Sequence, residues 1–110
     1  LIAIDYDGTY TTEPRLFDSV IQLFESAGNK VLIITARLEK NRPRIAHEVH
    51  CTNGMAKKMY CEQLGLDVNI WIDDSPEFIT EHCKHYKGTE SGDTRTTSCN
   101  PLSELLGRTA

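Results

Sequence analysis

Leu1-Ile2-Ala3-Ile4-Asp5-Tyr6-Asp7-Gly8-Thr9 is the stretch on which the reading of the fold turns. Its apolar run stops abruptly at two carboxylates and a glycine. A short apolar run bounded by turn signals predicts a buried strand. Strand side chains alternate between faces, so Asp5 and Asp7 can point one way while Tyr6 points the other. Gly8 lets the chain turn away sharply. Acids at the exit of a buried strand are costly unless something uses them. The expected product is a rigid pair of carboxylates, suited to gripping a divalent cation and acting on phosphate.

Two further apolar runs repeat the pattern. Val31-Leu32-Ile33-Ile34-Thr35 is rich in β-branched residues and predicts a strand that ends on a hydroxyl. Val68-Asn69-Ile70-Trp71-Ile72 predicts another, ending in Asp73-Asp74-Ser75-Pro76. Between them the spacing predicts helices. Pro14 suits a first helical position, and Leu16, Val20, Leu23, Phe24 and Ala27 recur at helical intervals up to Gly28-Asn29. A helix is expected through Ile45 and Ala46, a weak edge strand at 48–51, and a helix from Met55 to Leu64. Pro76 opens a further helix with Phe78, Ile79 and Cys83 inward. His85-Tyr86-Lys87 is expected as a last short strand, 90–98 as a loop, and Leu102, Leu105 and Leu106 on a final helix.

Strands alternating with helices predict an α/β fold, a parallel sheet with helices on both faces. Ligands of such sheets sit beyond the carboxyl ends of the strands. Asp5, Thr35 and Asp73 each fall at one.

The chain has 110 residues, enough for a single domain over 1–110 but not for a second. Apolar residues make up 39% and charged residues 25%, as in an ordinary globular protein. A net charge of −4 gives no general attraction to nucleic acid or anionic membrane. The chain opens on a core strand without a basic leader, so no signal peptide is expected. Cys51, Cys61, Cys83 and Cys99 are far apart and form no CxxC, which predicts reduced thiols in a cytoplasmic protein. His47-x-x-His50-Cys51 and His82-Cys83-x-His85 offer zinc-type ligands, but at the spacing of no familiar finger.

Taken together, Asp5-Tyr6-Asp7-Gly8-Thr9, Thr35 at a strand end, a lysine at 57 or 58, and Asp73-Asp74 after an apolar strand resemble the four ordered motifs of the haloacid dehalogenase-like (HAD) phosphohydrolase superfamily. The resemblance covers roughly 1–83. It implies a three-layer Rossmann-like core and a magnesium-dependent phosphatase. Asp5 would be the nucleophile that forms an aspartyl-phosphate, and Asp7 the general acid and then base. Thr35 would hydrogen-bond the transferring group, and Lys57 would offset the surplus negative charge. Lys57 lies nearer the helix start, with Lys58 its rival. Gly8, Thr9, Ala36 and Arg37 would line the phosphate. The ion would be held by Asp5, the backbone carbonyl of Asp7 and Asp74, with Asp73 behind them or bound through water. An oxygen-only, carboxylate-rich site suits Mg2+.

Many relatives carry a cap domain after the first motif or between the second and third. Both gaps are too short for one here. The open site implies a large substrate or an oligomeric partner that covers it. The Arg37, Lys40, Arg42 and Arg44 cluster is read either as a solvated face or as a cradle for phosphates. Thr35-Ala36-Arg37 and Ile72-Asp73-Asp74 look similar to the phosphatase domain of bacteriophage polynucleotide kinase-phosphatases, which implies a nucleotide or nucleic-acid end as substrate. Ile72-Asp73-Asp74-Ser75-Pro76 looks like the fourth motif of small carboxy-terminal-domain protein phosphatases. The alternative is a non-catalytic or regulatory phosphate- and Mg2+-binding module on the same fold. A response-regulator receiver uses similar residue types, but its acid pair comes first and here it comes last.

Overall fold

Residues 1–87 are described by the structure, a computed structural model. They form a small α/β protein around a four-stranded, all-parallel sheet. The strands are β1 (Ile2–Asp5), β2 (Val31–Thr35), β3 (Val49–Cys51) and β4 (Ile70–Ile72), in the spatial order β3-β2-β1-β4. The helices are α1 (Pro14–Ser26), α2 (Lys57–Gln63) and α3 (Glu77–Thr80), with short 3-10 turns at Tyr10–Thr12 and Glu39–Asn41.

Alternation along the central strands divides the core in two. Ile2, Ile4, Val31, Ile33, Val49 and Cys51 cluster with Ile21, Phe17 and Phe24 of α1. Ala3, Leu32 and Ile34 cluster with Cys61 and Tyr60 of α2. β1 and β2 are therefore apolar at every core position, as a parallel strand covered on both faces requires. Each fully buried Ile or Leu contributes roughly 1.5–3 kcal/mol relative to exposure. That burial is what makes β1 and β2 a firm base for whatever stands at their ends.

Several expectations shift. On α1 the buried face is Phe17, Ile21 and Phe24, whereas Leu16 is 55% and Leu23 68% exposed. No helix forms at Ile45 and Ala46. Pro43 forces the residue before it into extended backbone, and Arg42 sits at φ −59°, ψ 129°. The expected helix from Met55 starts later, at Lys57, and β4 is shorter than its apolar run. His85-Tyr86-Lys87 is not a strand; a turn at 84–85 takes its place. The loop at 90–98 and the helix with Leu102, Leu105 and Leu106 lie outside the described residues.

Cys51 and Cys61 are buried free thiols, and burial pushes both thiols up. Among the described residues no helix is long and apolar enough to cross a membrane.

Candidate active site

The carboxyl ends of β1 and β4 bring three acids together. Asp5, Asp73 and Asp74 each place a carboxylate oxygen within 4.8 Å of the others. β1 and β4 are paired in register through Ile4 and Ile72, so the residues that follow emerge side by side. This pairing joins acids that are far apart in sequence.

Lys57, the first residue of α2, supplies the opposite charge. Its Nζ donates to Asp5 Oδ1 at 2.7 Å and to Asp73 Oδ2 at 2.6 Å. All three side chains are less than a tenth exposed. Burial alone would discharge Lys57, but the Asp5 and Asp73 carboxylates outweigh it and hold the ammonium protonated far above the ordinary lysine range. Burial pushes the Asp5 carboxyl well up; Lys57 opposes the shift, while the Asp73 charge and the Asp74 contact add to it. Lys58 is exposed.

The turn after β1 is fitted to this cluster. Gly8 has φ +82°, a conformation open to glycine, and a Cβ there would lie 2.5 Å from Asp74 Oδ2. Thr9 is buried, with its hydroxyl 3.3 Å from Asp5 Oδ2 and 3.1 Å from Asp74 Oδ1. Thr9 Oγ1 in turn accepts from the Asp74 N–H at 3.2 Å. Asp73 Oδ1 accepts from Ser75 N–H at 2.9 Å. Asp73 thus serves both Lys57 and the start of the next turn.

Asp7 stands apart. Its carboxylate takes a two-pronged bond from Arg37, with Nε–Oδ2 at 3.0 Å and Nη2–Oδ1 at 2.9 Å. The Arg37 guanidinium lies 5.1 Å from the Tyr6 ring centroid, and Tyr6 stacks in turn on Tyr10 at 5.8 Å. The hydrogen bonds from Arg37 to Asp7 raise the guanidinium pKa further. The resemblance puts only the backbone carbonyl of Asp7 on the ion, and the Arg37 bond to its side chain leaves that carbonyl out of account. The nearest strong cation claims the side chain.

The other expected residues divide. Thr35 is buried at the end of β2, where its Oγ1 accepts from the Arg37 N–H at 3.2 Å. Ala36 is buried, and its carbonyl meets His85 Nε2 at 3.1 Å. The Gly8 N–H, expected to face phosphate, donates to Thr11 Oγ1 at 3.0 Å, and the Thr9 N–H to the Tyr6 carbonyl at 3.3 Å. The basic cluster is also split. Arg37 faces Asp7, whereas Arg42 pairs with Glu39 and donates to the Val49 carbonyl. Lys40 and Arg44 are exposed.

The histidines have other work. His50 bridges Tyr60 and Glu48, His47 meets Asp18, and His82 Nδ1 accepts from the Ala56 N–H at 2.9 Å. Among the described residues the three aspartates are the one group close enough to share an ion. Sequence reasoning overlooked Tyr6, the ring behind Arg37, and the link from His82 to Ala56. Neither has a local signal, since each partner is remote in the chain.

Compared with known proteins, the chain matches no family model, no curated protein and no solved structure.

Proposed function

We propose that the protein is a Mg2+-dependent phosphomonoesterase of the HAD type that works through an aspartyl-phosphate on Asp5. One observation carries this reading: Asp5, Asp73 and Asp74 converge at the carboxyl ends of β1 and β4 with Lys57 buried between two of them. Further support comes from the strand order and from α1 and α2 packing against opposite faces, the layout of a Rossmann-like three-layer core.

The donor set fits the ion. Three carboxylates face one ammonium, so three negative charges less one positive leave an excess of two. Like charges this close resist joint ionisation; the Asp5 carboxyl is pushed up mainly by burial, and the Asp73 charge adds to it. Oxygen donors without nitrogen or sulfur suit a hard divalent cation. Asp5, Asp74 and Asp73 would hold Mg2+, which supplies charge neutralisation for phosphoryl oxygens.

In the first step an Asp5 oxygen attacks phosphorus, the bond to the ester oxygen breaks, and Asp7 gives that oxygen its proton. In the second step Asp7 takes a proton from water, and the water oxygen attacks the phosphorus. The bond to Asp5 then breaks, and inorganic phosphate leaves. Asp7 must exchange Arg37 for the substrate to do this. Arg37, released, would pair with phosphate oxygens, to which its fork is equally matched. Lys57 would keep Asp5 in place throughout. No cap is present over residues 1–87, so the reading extends to an exposed phosphate on a large substrate, such as a nucleotide or a nucleic-acid end.

The two-pronged Arg37–Asp7 pair favours a second reading, an Mg2+- and phosphate-binding module of the same fold that does not turn over. Asp5→Asn tests the first reading. Release of phosphate from p-nitrophenyl phosphate with Mg2+ should vanish in this variant while the circular dichroism spectrum is kept. Unchanged turnover would remove the mechanism. Beryllofluoride trapping without turnover across a phosphate panel would favour the second reading.

A further inference from the structure

Lys57 owes its place to the backbone that launches α2, and that backbone lacks a local cap. The first N–H groups of a helix have no partner within the helix and are normally met by a polar side chain at the cap position. Here the cap residue is Ala56, which has none. Ala56 is buried, so its own N–H also needs a partner within the protein. The N–H of Ala56 itself, the residue ahead of the helix, is met from a remote part of the chain: His82 Nδ1 lies 2.9 Å from the Ala56 nitrogen.

The segment around His82 is bound to the same turn at several points. Cys83 N–H donates to the Gly54 carbonyl at 2.7 Å. A Cβ on Gly54 would lie 2.9 Å from His85 Nε2 and 3.0 Å from Tyr86 Cα. The Tyr86 ring packs at a tilt against the His82 ring, with centroids 4.3 Å apart. His85 Nε2 reaches the Ala36 carbonyl beyond β2. Residues 82–86 therefore tie the exit of β2 to the entry of α2, with the His82 nitrogen at the residue adjoining Lys57.

We propose that His82 is a positioning residue for Lys57. By accepting from Ala56 it fixes the first turn of α2, and thereby sets the Lys57 ammonium between Asp5 and Asp73. The bond requires a neutral ring with its proton on Nε2, because a proton on Nδ1 would oppose the Ala56 N–H. The inference rests on the catalytic reading only for its kinetic consequence; the geometry it asserts is independent of turnover.

Two variants and one spectroscopic measurement test it. His82→Asn keeps an acceptor oxygen in the place of Nδ1; His82→Leu keeps bulk and loses the acceptor. Turnover of p-nitrophenyl phosphate per folded molecule should fall roughly ten- to a hundredfold in His82→Leu, through kcat with KM little changed, because a small displacement of a charged group is costly. His82→Asn should recover most of it. A histidine that merely stabilises the fold would lower the melting temperature and leave kcat per folded molecule unchanged, and that result overturns the proposal. Two-bond 1H–15N spectra of the wild-type protein should show His82 protonated on Nε2 alone; a proton on Nδ1 also overturns it, whether or not His82→Leu folds. If the wild type hydrolyses no phosphate ester, the catalytic reading fails. The proposal is then decided by the ring tautomer and by the Lys57 ammonium signal, which should persist in His82→Asn and be lost to exchange in His82→Leu.

Discussion

Asp5 and Asp7 leave β1 two residues apart, yet they meet their cations in different surroundings. Lys57 binds Asp5 and Asp73 where all three side chains are less than a tenth exposed. Arg37 binds Asp7 with side chains 29% and 26% exposed. Water screens the second pair and hardly reaches the first. Breaking a buried pair strands a charge that has nowhere to go, whereas a half-exposed pair can exchange partners at little cost. The difference assigns a fixed role to Lys57 and a movable one to Arg37. On the proposed reading, in which Asp7 is the general acid and must let go of its counter-ion, the wet side suits it.

The largest break comes from Lys57→Met. It leaves Asp5 and Asp73 without their cation, and should cost about 3–5 kcal/mol in urea unfolding and abolish phosphate release. A loss below 1 kcal/mol would show that the buried side is no firmer than the other. Second in size is the ion itself. Mg2+ at a hundred times its Kd should stabilise the wild type by about 2.7 kcal/mol, read as a rise in Tm. Asp74→Asn should remove that rise, and an undiminished rise would place the ion elsewhere.

Tyr10, behind Tyr6 on the wet side, gives a smaller effect with a pH signature. Burial, with Asp18 accepting its hydroxyl, pushes the Tyr10 phenol from 10.0 up to about 12. The folded value is the higher one, so its stabilisation is whole below pH 10 and is lost as pH rises through about 12. Lys57 titrates in the same direction, so the informative quantity is the difference from Tyr10→Phe. That variant should lose about 1 kcal/mol at pH 8 and decline less between pH 10 and 12. Equal decline would detach Tyr10 from the effect. The smallest change in stability is expected from Arg37→Ala, about 0.2–1 kcal/mol and shrinking with added salt. Its turnover should fall chiefly through KM; a loss as large as that of Lys57→Met would erase the contrast between the two sides.

Much of this was legible before any coordinates. β1 and β2 announced themselves as unbroken apolar runs because both their faces are covered, and the acids stood out because they interrupt those runs. The pre-proline rule at Arg42 and Pro43 could have warned against a helix at Ile45 and Ala46. Other features had no such mark. On α1 two apolar stripes interleave, Leu16-Val20-Leu23-Ala27 and Phe17-Ile21-Phe24, and periodicity fits either. The sheet selects the second by offering Ile4 and Ile33 beside it. Lys57 and Lys58 differ by one step around a helix, and burial alone separates them. The motif marks Asp7 but not its partner, because Arg37 reaches the carboxylate through tertiary contact. The expected donors at Gly8 and Thr9 turned inward because the turn consumes its own N–H groups.

β4 has a further consequence. It is three residues long, half-exposed, and among the described residues it pairs with β1 alone. Asp73 and Asp74 are thus mounted on the margin of the sheet, while Asp5 stands near its centre. The margin of a sheet frays more readily than its middle. The cluster therefore joins a stationary jaw to one that breathes. Whatever ion or anion closes on both jaws will also quiet the border of the sheet, so occupancy of the site and the integrity of that border rise and fall together.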